Sequence, residues 1–323
     1  MSEPPASPDE ASPQPVVAEH ELVRPIGAGA GGEVWLAKSA LGTYRAVKVV
    51  YRKTFSWAKA YEDEFHGLLK YEPLSRQHDG LVDVLQVGGN AEAGYFYYVM
   101  ELADDLRTGP NINPDNYEPR TLAHDLAERH RLPIGECIRL GASIASALHF
   151  LHRQELIHRD VKPANIVFVN GFPKLADAGL VTEMFKTGSR VGTEGYIAPE
   201  GPGTARADIY SLGKVLYEIS TGKNRNDYPE LPAEMGKPAE ERDLVQFCQI
   251  VVKACRTNPR LRYQDAGAMM SDLLAFQFHT PMPFDAKNIK VYAGWFGLAG
   301  LFVAIVIVLV LLWRLFQFLL RSE

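Results

Sequence analysis

The stretch His158-Arg159-Asp160-Val161-Lys162-Pro163-Ala164-Asn165 brings a carboxylate, an ammonium group and a carboxamide together within eight residues. That order suits phosphoryl transfer from ATP. Asp160 can orient and deprotonate a substrate hydroxyl, Lys162 can neutralise the γ-phosphate, and Asn165 can bind Mg²⁺. An ordinary polar turn before the apolar residues 166–169 is the alternative interpretation, so the remaining motifs decide between the two.

These eight residues resemble the catalytic loop of the protein kinase family, whose pattern is H-R-D-L-x-x-x-N. Val161 replaces the Leu of that pattern, an apolar exchange that leaves the polar roles unchanged. The resemblance implies an α+β, bilobal protein kinase fold, with a β-rich N-lobe, a mainly helical C-lobe and ATP between them. It also implies ATP and Mg²⁺ as cofactors. Lys162 is the choice of the serine/threonine type, so protein Ser and Thr hydroxyls are the expected substrates.

A glycine-rich segment, Ile26-Gly27-Ala28-Gly29-Ala30-Gly31-Gly32-Glu33-Val34, fits the family's G-x-G-x-x-G-x-V. Glycines let a backbone approach phosphates closely, because no Cβ intervenes. Dinucleotide-binding folds use a similar motif but open a helix with it, whereas residues 33–37 are typical of a strand. We therefore expect a hairpin over the phosphates. Its expected ATP-binding residues are Ile26, Gly27, Ala28, Gly29, Ala30, Gly31, Gly32 and Val34.

The next strand, Tyr44-Arg45-Ala46-Val47-Lys48-Val49-Val50, resembles the family's third strand with its V-A-I-K. The resemblance implies that Lys48 holds the α- and β-phosphates and is catalytic. Lys48 then needs a carboxylate partner from the predicted helix over residues 58–71. Glu64 is the favoured partner, and Glu62 is the alternative, about 200° away around the helix.

The strand over residues 95–102 leads from the N-lobe into the C-lobe. By resemblance, Met100 borders the adenine pocket, and Glu101 to Ala103 form the hinge that offers backbone N–H and C=O groups to the base. Residues 104–120 contain three prolines and resemble an insertion beside the mouth of the site. Such a loop carries specificity in many proteins, but a passive surface excursion is an equal alternative.

Asp177-Ala178-Gly179 occupies the place of the family's D-F-G segment, which implies that Asp177 is a metal ligand together with Asn165. Ala178 departs from the pattern, because the Phe of the family packs to set active and inactive states. No polar group is lost, so we expect altered switching more than lost chemistry. The alternative is a membrane-anchored pseudokinase scaffold that binds nucleotide and partners without catalysis, and Ala178 is its support.

The segment Gly192-Thr193-Glu194-Gly195-Tyr196-Ile197-Ala198-Pro199-Glu200 ends in the family's A-P-E tripeptide. We expect autophosphorylation in trans at one or more of Thr187, Ser189 and Thr193, with Arg159 available to pair with such a phosphate.

Two further matches have structural roles. The resemblance implies that Asp208 braces the backbone of the catalytic loop and that Arg262 pairs with Glu200.

Composition excludes several classes of protein. The chain has 323 residues and a net charge of −5 without a basic stripe, so nothing indicates nucleic-acid binding. Its three cysteines lack C-x-x-C spacing, which predicts reduced thiols with neither disulfide nor zinc.

The composition of residues 1–19, rich in Pro, Ser and acidic residues, predicts a disordered tail. Residues 20–279 predict the kinase domain, with its N-lobe at 20–102 and C-lobe at 103–279.

Residues 291–313 carry no charge over 23 positions, long enough to cross the roughly 30 Å hydrocarbon core as a helix. Basic residues and tryptophans flank this span. A juxtamembrane linker at 280–290 and a short tail at 314–323 complete the predicted organisation. The chain resembles bacterial serine/threonine kinases of the inner membrane, which implies a single-pass protein with a cytoplasmic kinase domain. A homodimer would permit autophosphorylation in trans.

Overall fold

The N-lobe is a five-stranded antiparallel sheet in the order β1-β2-β3-β5-β4. The structure, a computed structural model, describes residues 14–29, 32–177, 182–183, 192–233 and 237–276. The strands are β1 (His20–Gly29), β2 (Gly32–Ser39), β3 (Tyr44–Tyr51), β4 (Val84–Asn90) and β5 (Tyr95–Met100). β3 is rich in β-branched residues and mostly buried, as expected of a central strand.

Residues 14–19 pack against this sheet, which corrects part of the predicted disordered tail over residues 1–19. Val17 is buried, and the Tyr95 hydroxyl binds the backbone N–H and C=O of Val16 at 2.9 and 3.2 Å. The Tyr97 hydroxyl accepts from the Ala18 N–H at 3.1 Å. The two buried tyrosines thus satisfy the backbone of a segment whose composition alone predicts no order. Residues 1–13 lie outside the described residues.

A single long helix, α1 (Ala58–Ser75), packs against β4 and the rest of the N-lobe. Glu64, Leu68 and Tyr71 are buried at helical spacing, so one face of α1 contacts the core. Glu62, the alternative partner for Lys48, is exposed on another face. The helix therefore presents Glu64 to the interior, as the sequence predicts.

The C-lobe is mainly helical, which confirms the predicted bilobal α+β fold. Its helices are α2 (Leu122–Arg129), α3 (Ile134–Arg153), α4 (Ala205–Thr221), α5 (Pro238–Ala254) and α6 (Ala266–Leu274). Short strands lie beside the catalytic loop: β6 (Leu156–Ile157), β7 (Ile166–Val169), β8 (Phe172–Leu175) and β9 (Thr182–Glu183). β6 pairs with β9 and β7 with β8.

Helix ends follow from side chains next to them. Thr121, Thr204 and Asp265 cap the N-termini of α2, α4 and α6 by accepting hydrogen bonds from backbone N–H groups. Gly222 ends α4 in the left-handed conformation, at φ 71°. The caps at its two ends fix α4, the helix whose Asp208 contacts the catalytic loop.

Of the helices in the described ranges, α3 alone is long and apolar enough to cross a membrane. It packs against α4 and α6 inside the C-lobe, which is typical of a core helix. The predicted span over residues 291–313, the linker 280–290 and the tail 314–323 lie outside the described residues. Residues 1–279 form one compact unit, and residues 280–323 are a separate one.

Candidate active site

The catalytic loop gathers its three predicted polar residues into one cluster. Lys162 Nζ donates to Asp160 Oδ2 at 2.6 Å. Asn165 Nδ2 donates both to the backbone C=O of Asp160 and to its Oδ2, each at 2.9 Å. Asp160 is buried, so these donors supply the solvation that its carboxylate has lost. Asp160 is thereby held in one orientation.

Thr193 completes this cluster from the segment before the A-P-E tripeptide. Its hydroxyl donates to Asp160 Oδ1 at 2.8 Å and accepts from Lys162 Nζ at 2.8 Å. The sequence predicts Thr193 as one of three phosphorylation sites, whereas here it is a polar partner of the loop. Thr187 and Ser189, the other two candidates, lie outside the described residues.

The backbone of the catalytic loop is fixed from α4. Asp208 accepts from the N–H groups of His158 and Arg159, each at 2.8 Å, and from His152 Nε2 at 2.9 Å. Burial by itself raises the pKa of Asp208, but these bonds and the nearby histidines outweigh burial and lower it. The predicted bracing by Asp208 is confirmed.

Two residues of the site have left-handed backbone conformations. Arg159 has φ 70° and Asp177 has φ 67°. Non-glycine residues rarely adopt positive φ, and those that do cluster at functional sites. His158 contributes to holding the second turn, because its Nε2 lies 3.0 Å from the C=O of Ala176.

Lys48 and Asp177 form the ion pair across the cleft. Lys48 Nζ lies 2.5 Å from Asp177 Oδ1. Lys48 is only 3% exposed, and burial by itself lowers its pKa. The Asp177 carboxylate outweighs that effect and raises the pKa, so Lys48 stays protonated. The pair links β3 in the N-lobe to the segment after β8 in the C-lobe.

Glu64, predicted to brace Lys48, is buried near it but does not form an ion pair with it. Its Oε1 has no hydrogen-bond partner among the described residues. Burial raises the pKa of Glu64 to about 8; Lys48 lowers it and Asp177 raises it. Lys48 is bonded to the more exposed Asp177, so no ion pair offsets the burial that raises the pKa of Glu64.

The predicted metal ligands, Asn165 and Asp177, lie close together. The Ala176 N–H donates to the backbone C=O of Asn165 at 2.8 Å, which places the next residue, Asp177, beside it. Asn165 uses its Nδ2 within the protein, and its other polar atom is an oxygen. Mg²⁺ prefers such oxygens and is commonly held by one or two protein side chains plus substrate phosphates. Among the described residues there is no group of three or more His, Cys, Asp or Glu suited to a metal.

The glycine-rich hairpin forms at the predicted place. Gly27 pairs with Val34, Ala28 with Glu33 and Gly29 with Gly32, while Ala30 and Gly31 lie outside the described residues. Gly32 has a structural reason to be glycine, because a Cβ there would lie 2.0 Å from the backbone oxygen of Val49. Ile26 and Val34 are half-buried on the two strands, consistent with a lining role.

The predicted hinge follows β5. Met100 is half-buried and pairs with Ala46 of β3 and Val84 of β4. Both the side chain and the backbone N–H of Glu101 have partners: Oε1 accepts from Lys174 Nζ at 2.5 Å and from the Asp83 N–H at 2.9 Å, and the N–H donates to the C=O of Asp83 at 3.1 Å. Ala103 is buried, and its C=O accepts from the Tyr117 hydroxyl at 3.0 Å.

The base of the C-lobe contains the predicted ion pair between Arg262 and Glu200. Arg262 donates from Nη1 and Nη2 to the two carboxylate oxygens, at 2.6 and 2.8 Å. This bidentate geometry fixes the end of the A-P-E segment. The predicted pairing is confirmed. Cys137, Cys248 and Cys255 are free thiols, as the sequence predicts.

The sequence did not indicate a role for Arg24, Asp105 or Tyr117, which form contacts around residues 104–120. Asp105 followed by Thr108 is a recognisable turn signal. Nothing in the local sequence marks Arg24, because its partners are backbone carbonyls 90 and 93 residues away.

Comparison with known proteins identifies the family of this chain. A family described as protein kinase domain matches residues 20–279. The serine/threonine-protein kinase PknB of Mycobacterium leprae is 29% identical over 84% of this chain and 44% of its own length. PknB of Mycolicibacterium smegmatis is 31% identical over 81% of this chain and 44% of its own. The DNA damage-responsive serine/threonine-protein kinase RqkA of Deinococcus radiodurans is 31% identical over 64% and 30%.

The chain spans less than half the length of these three relatives. The family match, in contrast, covers most of the chain and coincides with the predicted domain at residues 20–279. Sequence order, geometry and the family match agree, and the chain belongs to the protein kinase family.

Proposed function

We propose that this chain is a serine/threonine protein kinase that transfers the γ-phosphate of ATP to protein hydroxyls, including its own. The observation that carries the proposal is the cluster of Asp160, Lys162, Asn165 and Thr193 on one loop system. A nucleotide-binding scaffold needs no buried carboxylate that is held by three donors at the place where a substrate hydroxyl would enter.

In this mechanism Asp160 orients the substrate hydroxyl and accepts its proton, because its carboxylate is held in a fixed orientation. Lys162 stabilises the negative charge that develops on the transferred group. Lys48 positions the phosphates, and Asn165 with Asp177 would hold Mg²⁺. The metal ion, when bound, neutralises phosphate charge. Glu64 stays a predicted partner of Lys48 in the nucleotide-bound state.

Residues 291–313 support the further proposal of a single-pass membrane protein. The 23 uncharged positions suffice for one helical crossing of about 30 Å. ATP and reduced thiols are cytoplasmic, so the kinase domain lies on the cytoplasmic side, at the inner membrane of a bacterium. Association as a homodimer in the membrane plane would bring Thr187 and Ser189 of one copy to the catalytic loop of the other.

The first experiment is phosphorylation by the full chain in detergent micelles, with γ-labelled ATP and Mg²⁺. We expect label on Ser or Thr of the wild type and of a mixed peptide library. The Asp160→Asn and Lys48→Met variants are controls that should incorporate no label. Mass spectrometry should find phosphate at Thr187 or Ser189, and not at Thr193, whose hydroxyl is already bonded to the catalytic loop.

The same experiment separates the pseudokinase alternative. If the wild type stays unlabelled while ATP raises its melting temperature, the chain is a nucleotide-binding scaffold and the proposed activity is wrong. Membrane attachment needs its own test. Resistance of the chain to carbonate extraction from membranes would support the span, and release into the soluble fraction would contradict it.

A further inference from the structure

Arg24 on β1 reaches across to residues 104–120, here named the hinge loop. Its Nε donates to the backbone C=O of Pro114 at 2.9 Å, and its Nη2 donates to the backbone C=O of Tyr117. Arg24 stands three positions before Gly27, on the strand that leads into the glycine-rich hairpin. Two contacts from one planar guanidinium fix both a position and an orientation.

The hinge loop has internal order of its own. Asp105 Oδ1 accepts from the N–H groups of Arg107 and Thr108 at 2.9 and 2.8 Å, and Oδ2 accepts from the Glu118 N–H at 3.0 Å. The Leu106 N–H also donates to the C=O of Glu118 at 2.8 Å. The Asp105 carboxylate therefore bonds to both ends of the hinge loop, so a displacement of the middle of the loop also displaces its two ends.

The loop is anchored to the hinge by Tyr117. This side chain is 2% exposed, and its hydroxyl donates to the C=O of Ala103 at 3.0 Å. The phenol hydroxyl satisfies a buried carbonyl, while the backbone carbonyl of the same residue binds Arg24. Tyr117 thus connects β1 and the hinge through a single residue.

The loop is anchored to the C-lobe by Asp104. Its carboxylate accepts from the N–H groups of Asn170 and Gly171, at 2.8 and 2.7 Å, in the turn between β7 and β8. The Asp104 N–H donates to the C=O of Phe168 on β7 at 2.7 Å. β7 directly follows Asn165, so this anchor lies on the same rigid unit as the catalytic loop.

We propose that Arg24 and Tyr117 are positioning residues that, through the hinge loop, tie the strand carrying the glycine-rich hairpin to the hinge and to the C-lobe. The connection restrains opening of the cleft at its hinge end and so slows nucleotide dissociation. This inference rests on the proposed function, because it assumes that nucleotide binds under that hairpin. Of the two interpretations of residues 104–120, it favours a loop that contributes to the site over a passive surface excursion.

The test compares nucleotide dissociation in four variants of the full chain, measured by stopped flow with a fluorescent ADP analogue. Arg24→Ala removes both contacts, and we expect dissociation to accelerate about 10- to 100-fold, the scale of hydrogen bonds with a charged donor. Arg24→Lys keeps the charge without the planar fork and should recover part of the effect. Tyr117→Phe removes one hydroxyl and should accelerate dissociation about 2- to 5-fold.

Arg107→Ala is the matched control. Arg107 is an exposed arginine of the same loop, and its side chain bonds to none of the described residues. It should release nucleotide at the wild-type rate. Melting temperatures of all variants show whether each chain is folded, and Tyr117→Phe keeps the buried ring in place if Arg24→Ala is unstable.

Hydrogen exchange of the amides of residues 106–118 gives a readout that does not depend on nucleotide. Faster exchange in Arg24→Ala and Tyr117→Phe than in Arg107→Ala is expected. Unchanged exchange and unchanged dissociation in both variants would overturn the proposal. If the wild type binds no nucleotide, the proposed function fails, and the exchange rates alone then decide whether the restraint exists.

Discussion

The ammonium group of Lys48 lies 2.5 Å from the carboxylate of Asp177, across the cleft between the two lobes. The lysine is almost fully buried, and Asp177 is one of the two predicted metal ligands. The same carboxylate oxygen therefore faces two cations, the protein's own and the metal ion that nucleotide brings. Competition between them has measurable consequences.

We predict that Mg²⁺ without nucleotide binds weakly to the wild type and more tightly to Lys48→Met. Removing the ammonium group takes away the positive charge beside the Asp177 carboxylate, which should raise the affinity for Mg²⁺ about 10-fold. Titration with Mg²⁺ or Mn²⁺, followed by melting temperature, measures the change. Lys53→Met, at an exposed lysine of the same lobe, is the control. Equal affinities in wild type and Lys48→Met would contradict the predicted competition.

Glu64→Gln should make the domain more stable at alkaline pH while it lowers kinase activity. Burial raises the pKa of Glu64 from 4.5 to about 8. A carboxyl group whose pKa rises on folding contributes fully to the free energy of unfolding at pH values below its pKa in the unfolded chain. That contribution is lost as the pH rises through its pKa in the folded protein. The wild type therefore weakens between about pH 4.5 and pH 8, and the Gln variant lacks that loss.

At pH 8.5 we expect Glu64→Gln to melt about 4–8 °C above the wild type, the equivalent of about 2 kcal/mol in a domain of this size. Glu62→Gln is the matched control, because Glu62 lies two residues earlier on the same helix, on an exposed face. Parallel melting curves for wild type and Glu64→Gln from pH 5 to pH 9 would show that Glu64 is ionised in the folded protein.

Thr193→Val should lower turnover about 10- to 100-fold, the range expected for a disturbed general base. The hydroxyl bonds to both Asp160 and Lys162, so its loss frees the two catalytic groups from their common partner. Thr193→Ser keeps the hydroxyl and should retain most of the activity. Steady-state kinetics with a peptide substrate measures the effect as a loss in kcat at similar melting temperature. Full turnover by Thr193→Val would exclude this positioning role.

Asp105→Asn should destabilise the domain by about 1–3 kcal/mol, because one amide oxygen cannot replace a carboxylate that accepts backbone bonds on both oxygens. Burial by itself raises the pKa of Asp105, but the bonds from Glu118, Thr108 and Arg107 outweigh it and lower the pKa to about 2.

A lowered carboxyl pKa contributes stability that is complete above the unfolded value, 3.8, and lost as pH falls through about 2. The loss in free energy of unfolding caused by Asp105→Asn, measured by urea denaturation, should therefore stay constant from pH 8 to pH 5. Asp115→Asn, at an exposed position of the same loop, should show none. A deficit that vanishes near neutral pH would contradict ionisation of Asp105 in that range.

The sequence predicts the parts of this protein whose residue types are dictated by chemistry. Asp160, Lys162 and Asn165 cluster as their spacing indicates, and Asp208 braces the loop because a buried backbone turn needs an acceptor there. Glu64 lies on the inward face of its helix, as the apolar spacing of α1 predicts.

The contacts that the sequence does not predict depend on how the lobe packs and on backbone atoms far along the chain. Lys48 pairs with Asp177 and not with the buried Glu64, and burial is a property of the packed lobe and not of either residue type. Val17 belongs to the domain because Tyr95 and Tyr97 bind the backbone on either side of it. Arg24 finds carbonyl groups, which every residue has, so no pattern could reveal its partners.

Tyr117 also affects the design of inhibitors. A flat heterocycle that binds a hinge exploits whichever backbone donors and acceptors remain unoccupied, and here the carbonyl of Ala103 is already taken by the phenol. A compound with a donor aimed at that carbonyl competes with the hydroxyl, and displacing the hydroxyl into a buried position without a partner costs about 1–3 kcal/mol. A scaffold that aims its donor at the phenol oxygen, which can still accept, keeps the bond to Ala103 intact and uses the phenol as a selectivity handle.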